Sequence, residues 1–143
     1  GINVSIGTDG TASNNTLDMV EEMRFAALLP KGSLHNPEAV NARTALRMAT
    51  INGAKALGIH HLTGSLEVGK RADLIVIHAD ASNMLPIYDV YSAIVYASNS
   101  KNIRSSMVNG KWIMRNRELV YINKTETMES MKHIVNSQID NRK

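Results

Sequence analysis

Gly1-Ile2-Asn3-Val4-Ser5-Ile6-Gly7-Thr8-Asp9-Gly10 opens the chain with apolar residues at alternate positions, then a glycine-bordered turn. Alternation at Ile2, Val4 and Ile6 is the period of a strand resting one face on a core. Gly7-Thr8-Asp9-Gly10 ends that strand in a turn. In α/β barrels the C-terminal ends of strands face the active site. Asp9 would stand at such an end. A carboxylate there can ligate a divalent metal and take a proton from metal-activated water. The plainer alternative is an Asx turn, whose carboxylate only accepts nearby backbone N–H groups. On spacing alone the turn reading is preferred, because Asp-Gly turns are common.

Outward from this stretch, Thr11 to Asn15 is a small, polar loop. A helix is expected from near Leu17, capped by Asn15 or Thr16, with Asp18, Glu21 and Glu22 favouring its N-terminal dipole. Val20, Met23 and Ala27 share its buried face, and Pro30 and Gly32 end it. A second helix should start at Asn36-Pro37-Glu38, with Ala42, Leu46 and Ala49 on one face. Asn52-Gly53 interrupts it and Gly58 stops it. Gly64, Gly69 and Val68-Gly69-Lys70-Arg71 then frame short extended pieces. Leu74-Ile75-Val76-Ile77 reads as a strand buried on both faces or crossing a sandwich core.

Asp89 to Ala97 reads as a short helix. Ser106-Met107-Val108, Asn109-Gly110 and Lys111-Trp112-Ile113-Met114 give a hairpin, because Asn-Gly tolerates the positive φ angles of a type I′ turn. Leu119 to Ile122 would add a strand. A last helix is expected over Lys124 to Asn141, with Asn123 and Glu126 spaced as a capping box. Met128, Met131 and Val135 would be its buried face. The fold class is therefore α/β, an α/β unit followed by a mainly β unit, with the boundary near Leu62 to Leu66. No internal repeat is visible.

Composition narrows the function classes. The 143 residues suit one domain, and 43% are hydrophobic, enough for a core. With 4% aromatics and eight Met, that core must be aliphatic and Met-filled. The net charge of +3 is spread along the chain, without a basic run interleaved with aromatics, so nucleic acid is not an expected partner. There is no cysteine, which excludes disulfides, thiolate metal sites and a Cys nucleophile, and fits a reducing, cytoplasmic setting. No apolar run approaches the ~20 residues of a membrane span, so a membrane is not expected either. A start at Gly1, directly in an apolar segment, suggests a piece cut from a longer protein.

Other candidates are weaker. His35, His60, His61, His78 and His133 form neither HxH nor HExxH, and read as loop or surface residues. Ser13, Asn14 and Asn15 could line a site beside Asp9, but loops and caps use the same residues. Gly64-x4-Gly69-Lys70 is followed by Arg71, not Ser or Thr, so it is no phosphate loop.

The string Gly7-Thr8-Asp9-Gly10-Thr11-Ala12-Ser13-Asn14-Asn15-Thr16-Leu17-Asp18-Met19 resembles the last barrel strand and loop of the amidohydrolase family, which includes chlorohydrolases and nucleoside-type deaminases. The likeness is greatest to 5-methylthioadenosine/S-adenosylhomocysteine deaminases. Glu22-Met23-Arg24 and Ala26 to Leu29 continue it. Ala45 to Gly58 resembles the family's next helix, and Gly64 to Val76 resembles the passage from barrel into a small β-sandwich. Val108-Asn109-Gly110-Lys111-Trp112 resembles that sandwich's late hairpin. The four motifs follow the family's order over about residues 3 to 122.

The resemblance implies a C-terminal piece of a TIM-like barrel (last strand and helices), strands of a small β-sandwich and a terminal helix. Residues 1–61 would be the barrel end, 62–123 the sandwich part and 124–143 the terminal helix. It implies a hydrolase acting on C–N bonds, hydrolytically deaminating an adenosine-type nucleoside with one divalent metal, zinc by family habit. Asp9 matches the family's last-strand Asp, as metal ligand and catalytic proton shuttle. No substrate-binding residue is identified. The family's HxH pair, further metal-binding His and general-base Glu lie upstream of these motifs and do not occur here. The piece alone is therefore expected to bind no metal tightly and to be inactive. Its expected partners are the upstream part of its own chain, a small-molecule substrate and further copies of itself. The alternatives are another amidohydrolase reaction (dechlorination or cyclic amide hydrolysis) and a non-catalytic assembly module.

Overall fold

The computed structural model describes residues 1–140. Helices dominate the first part: α1 (Met19–Ser33), α2 (Ala42–Met48) and α3 (Ile51–Ala56). Strand β1 (Leu74–Ile77) follows, then the single-turn helix α4 (Val90–Ser92), which widens into a π-turn over Ala93–Ala97. The strands β2 (Ile103–Val108), β3 (Lys111–Arg115) and β4 (Glu118–Leu119) precede a last helix, α5 (Lys124–Asp140). The four strands form one antiparallel sheet in the order β1-β2-β3-β4. No described helix is long and apolar enough to cross a membrane.

Helix α1 begins two residues later than its apolar pattern suggests, because Asp18 caps it. The Asp18 carboxylate accepts the N–H groups of Val20 and Glu21 at 2.9 and 3.3 Å. Those donors otherwise lack partners in the first helical turn. The helix also runs through Pro30 and Gly32. Its stop comes at His35, which takes a left-handed φ of 49°. The N–H of Asn36 then reaches Lys31 O and that of His35 reaches Gly32 O, closing a Schellman motif with a non-glycine residue.

Helix α2 likewise starts at Asn41, not Asn36. Asn41 Oδ1 accepts the Thr44 N–H at 2.9 Å. Asn36 spends its side chain on a local turn instead, accepting the Glu38 N–H at 2.9 Å. The expected interruption at Asn52-Gly53 is displaced too. The chain breaks at Thr50, and Asn52 and Gly53 lie inside α3. Gly58 then closes α3, with Gly58 N–H to Lys55 O and Ile59 N–H to Ala54 O.

The core sits between α1, α2 and the π-turn. Met23, Ala27, Ala42, Ala45 and Val95 are buried together, with Ile6, Val40, Leu46, Ala49 and Ile94 packed against them. It is aliphatic and methionine-containing, as the low aromatic content requires. Ala27 and Ala45 have no side chain beyond Cβ, which lets α1 and α2 approach closely. Arg24, half-buried on α1, crosses to the π-turn: its Nε donates to Val95 O at 3.2 Å and its Nη2 donates to Ser98 O.

Three expectations about strands and burial fail. Residues 2–6 form no strand, because no neighbouring strand among the described residues takes up their backbone groups. The segment is tied to helices instead: Ile6 N–H to Met48 O, Asn3 Nδ2 to Asn52 O and Asn52 Nδ2 to Val4 O. β1 is a sheet edge with Ile75 and Val76 exposed, so within this chain it is not buried on both faces. Met128, Met131 and Val135 of α5 are about half exposed, so they form no buried face among the described residues. The α5 cap has only its Asn123 half, with Asn123 Oδ1 accepting the Glu126 N–H at 3.3 Å. Asn141 lies outside the described residues.

The hairpin forms where Asn109-Gly110 places it. Both residues have positive φ, 49° and 75°, and Val108 pairs with Lys111 across the turn. Of the strand expected over Leu119 to Ile122, Leu119 lies within the short β4 and Val120 adds one backbone bond to β3, its N–H to Ile113 O at 3.0 Å.

Candidate functional site

Asp9 lies just past the Ile2–Ile6 segment, in the left-handed region at φ 59°. A non-glycine residue rarely sits there, and Asp and Asn do so more easily than others. Its side chain is exposed. Asp9 Oδ1 accepts the Gly10 N–H at 2.7 Å, and Thr8 Oγ1 donates to Asp9 O at 3.2 Å. Among the described residues, no other hydrogen bond reaches the carboxylate. Asp9 is therefore a turn carboxylate with one oxygen unengaged.

The loop after Asp9 is wound around Asn14. Gly10 O accepts the N–H groups of both Ser13 and Asn14 at 3.0 Å. The half-buried Asn14 side chain then bridges forward. Its Oδ1 accepts the N–H groups of Thr16 and Leu17 at 3.0 and 3.3 Å. Its Nδ2 donates to Glu22 Oε1 at 2.5 Å. Thr16 Oγ1 lies within hydrogen-bonding distance of both Asn14 Oδ1 and Glu21 Oε2. Ser13 and Asn15 remain exposed. Of the three polar residues that could line a site, only Asn14 organises the loop. Its partners lie two to eight residues ahead, so composition alone gave no signal; its half-buried position between Gly10 and Glu22 does.

The histidines do not converge on Asp9. All five are exposed. His35 caps α1, and His60 and His61 meet edge to face with ring centroids 6.1 Å apart. His78 Nε2 contacts Asp80 Oδ1 at 2.5 Å. Among the described residues no group of three His, Cys, Asp or Glu side chains could hold a metal. The described donors therefore make no complete metal site, since catalytic zinc needs three protein ligands.

The shifted carboxyls lie elsewhere and serve turns. Asp73 is held below the usual carboxylate range by the Asn109 N–H at 2.5 Å, then by the Thr63 hydroxyl at 2.7 Å. Asp89 is lowered by its hydrogen bonding to Ser92, where it caps α4. Glu67 is lowered first by the Ser65 hydroxyl and then by Lys70. The basic pair Lys70-Arg71 divides between two environments. Lys70 is well covered, bonded to Ser65 and Glu67, while Arg71 is exposed.

Known proteins place this arrangement. A 5-methylthioadenosine/S-adenosylhomocysteine deaminase of Acetivibrio thermocellus is 45% identical over 134 residues, 94% of this chain and 31% of that protein. A 5′-deoxyadenosine deaminase of Methanosarcina barkeri is 46% identical over 129 residues, 90% of this chain and 29% of that protein. Among solved structures, an adenosine deaminase from Xanthomonas campestris with bound zinc superposes with a TM-score of 0.91 at 38% identity, covering 95% of this chain and 31% of that one. The chain therefore spans less than a third of the length of these relatives. The sequence profile described as the amidohydrolase family matches residues 1–113, from the Ile2–Asp9 segment through the hairpin. With four-fifths of its length inside that profile, the chain belongs to the amidohydrolase family.

Proposed function

We propose that this chain is the C-terminal portion of a longer metal-dependent hydrolase that deaminates an adenosine-type nucleoside. The observation that carries this reading is the identity of 45–46% with proteins named as such deaminases, over nine-tenths or more of the chain. Residues 1–61 would then end a TIM-like barrel, 62–123 would belong to a β-sandwich and 124–143 would be a terminal helix. On this reading Ile2–Ile6 pairs with an upstream strand, which accounts for its extended pattern without a ladder. The exposed edge of β1 and the apolar stripe of α5 would be covered by the upstream part or by a second copy. The protein would be cytoplasmic.

Asp9 is the residue of this chain assigned to the chemistry. Its unengaged carboxylate oxygen would provide one metal ligand, and its carboxylate would hold a proton passing from the attacking water to the leaving amine. A bound divalent metal, zinc on this reading, supplies the Lewis acidity that makes water a nucleophile near neutral pH. The Gly10 N–H holds Asp9 Oδ1, so the carboxylate does not swing freely.

The test is ammonia release by the longer protein from 5′-methylthioadenosine, S-adenosylhomocysteine and 5′-deoxyadenosine. Release from at least one is expected, and Asp9→Ala should lower kcat/KM by about 10³-fold, within the range for a lost proton-transfer group. Ammonia from none of the three, or full activity in Asp9→Ala, would contradict the proposal.

A further inference from the structure

Asp9 is held in place by a continuous chain of hydrogen bonds that starts on α1. Glu22 Oε1 accepts from Asn14 Nδ2. The Asn14 N–H donates to Gly10 O, and the Gly10 N–H donates to Asp9 Oδ1. Glu22 sits in the first turn of α1, next to Met23, which is buried in the core. The path therefore runs from a helix packed on the core to a carboxylate on an exposed turn. Asn14 is its branch point, because its Oδ1 also accepts the N–H groups of Thr16 and Leu17. Leu17 takes a positive φ of 46°, which an apolar residue adopts only when its surroundings impose it.

We propose that Asn14 is a positioning residue for Asp9: with Glu22 it fixes the Gly10–Leu17 loop so that the Asp9 carboxylate keeps one orientation toward the metal. This rests on the reading of Asp9 as a metal ligand. Groups that orient a metal ligand typically contribute 10- to 100-fold to metal affinity or activity.

The polarity of the Asn14–Glu22 bond supplies a test that separates positioning from general stability. In Asn14→Asp a carboxylate faces Glu22 Oε1, and the donor is lost. Adding Glu22→Gln restores a donor from the other side, so the bond returns with reversed direction and the net charge of the wild type. Zinc affinity, kcat and KM for 5′-deoxyadenosine would be measured in the longer protein. Asn14→Asp should lower zinc affinity and kcat about 10-fold or more with little change in KM, and the Asn14→Asp/Glu22→Gln pair should recover most of the loss. Unchanged zinc affinity and kcat in Asn14→Asp would overturn the proposal. So would a double variant as impaired as the single one. Asp9→Ala is measured alongside. Loss of zinc in Asp9→Ala with intact Asn14→Asp removes only the positioning role. No loss in Asp9→Ala removes the ligand reading itself.

Discussion

Asp73 joins two stretches far apart in sequence. Its Oδ2 accepts the Thr63 hydroxyl and its Oδ1 accepts the Asn109 N–H in the hairpin turn. Both bonds favour the ionised carboxyl, and its pKa is lowered in the folded chain. Such a group stabilises the fold above its unfolded pKa, and that contribution is lost as pH falls through the lower, folded value. Asp73→Asn should therefore destabilise most at pH 7, and the gap to wild type should narrow toward about pH 3, below the ordinary Asp pKa of about 3.9. Denaturant midpoints at the two pH values measure this. A gap that stays constant would show that the charge plays no part. Single residues are legible in the sequence only where their pattern is local. Asp9 stood out because a turn carboxylate after an alternating run is a local pattern. Asn14 and Asp73 did not, since Asn and Asp in loops are common and only their three-dimensional partners set them apart.

Elements were legible in kind and less so in extent. The apolar stripe Val20, Met23, Ala27 is buried as its spacing requires. Asn109-Gly110 makes the expected hairpin because both of its φ angles can be positive. Helix ends moved by one to six residues, since Asp18, Asn41 and His35 offered better cap geometry than the Asn, Pro and Gly signals nearby. Gly64 shows how an element contact hides behind one residue. It sits at φ 88° against α3, and a Cβ there would lie 2.7 Å from Ala54 Cβ and 3.0 Å from Ile51 Cα. Gly69 has nearly the same φ, 89°, with nothing within 4 Å of such a Cβ. Both Gly→Ala changes carry the left-handed penalty of about 1–2 kcal/mol. Gly64→Ala should cost roughly 1–3 kcal/mol more, because the loop must move off α3. Equal losses of stability in the two variants would mean that the loop is not packed on that helix.

The whole molecule is only partly closed on itself. Its core is small, and Ile75, Val76, Met128, Met131, Ile134, Val135 and Ile139 are all exposed. Exposed apolar residues grouped on one face mark interaction surfaces. β1 and α5 do carry the apolar residues their patterns suggest, but those residues are exposed here where burial was expected. Ile2–Ile6 likewise has the alternation of a strand, but no strand among the described residues pairs with it. The motifs for family membership were readable because they are local strings. A complete metal site was not readable, because no three donor side chains come together among the described residues. Zinc stoichiometry tests this most directly, measured for this chain, for the longer protein and for the longer protein with Asp9→Ala. No stoichiometric zinc is expected on the 143-residue chain, with one zinc on the longer protein and a weakened site in Asp9→Ala. Tight, stoichiometric zinc on the short chain, or a site indifferent to Asp9→Ala, would contradict it.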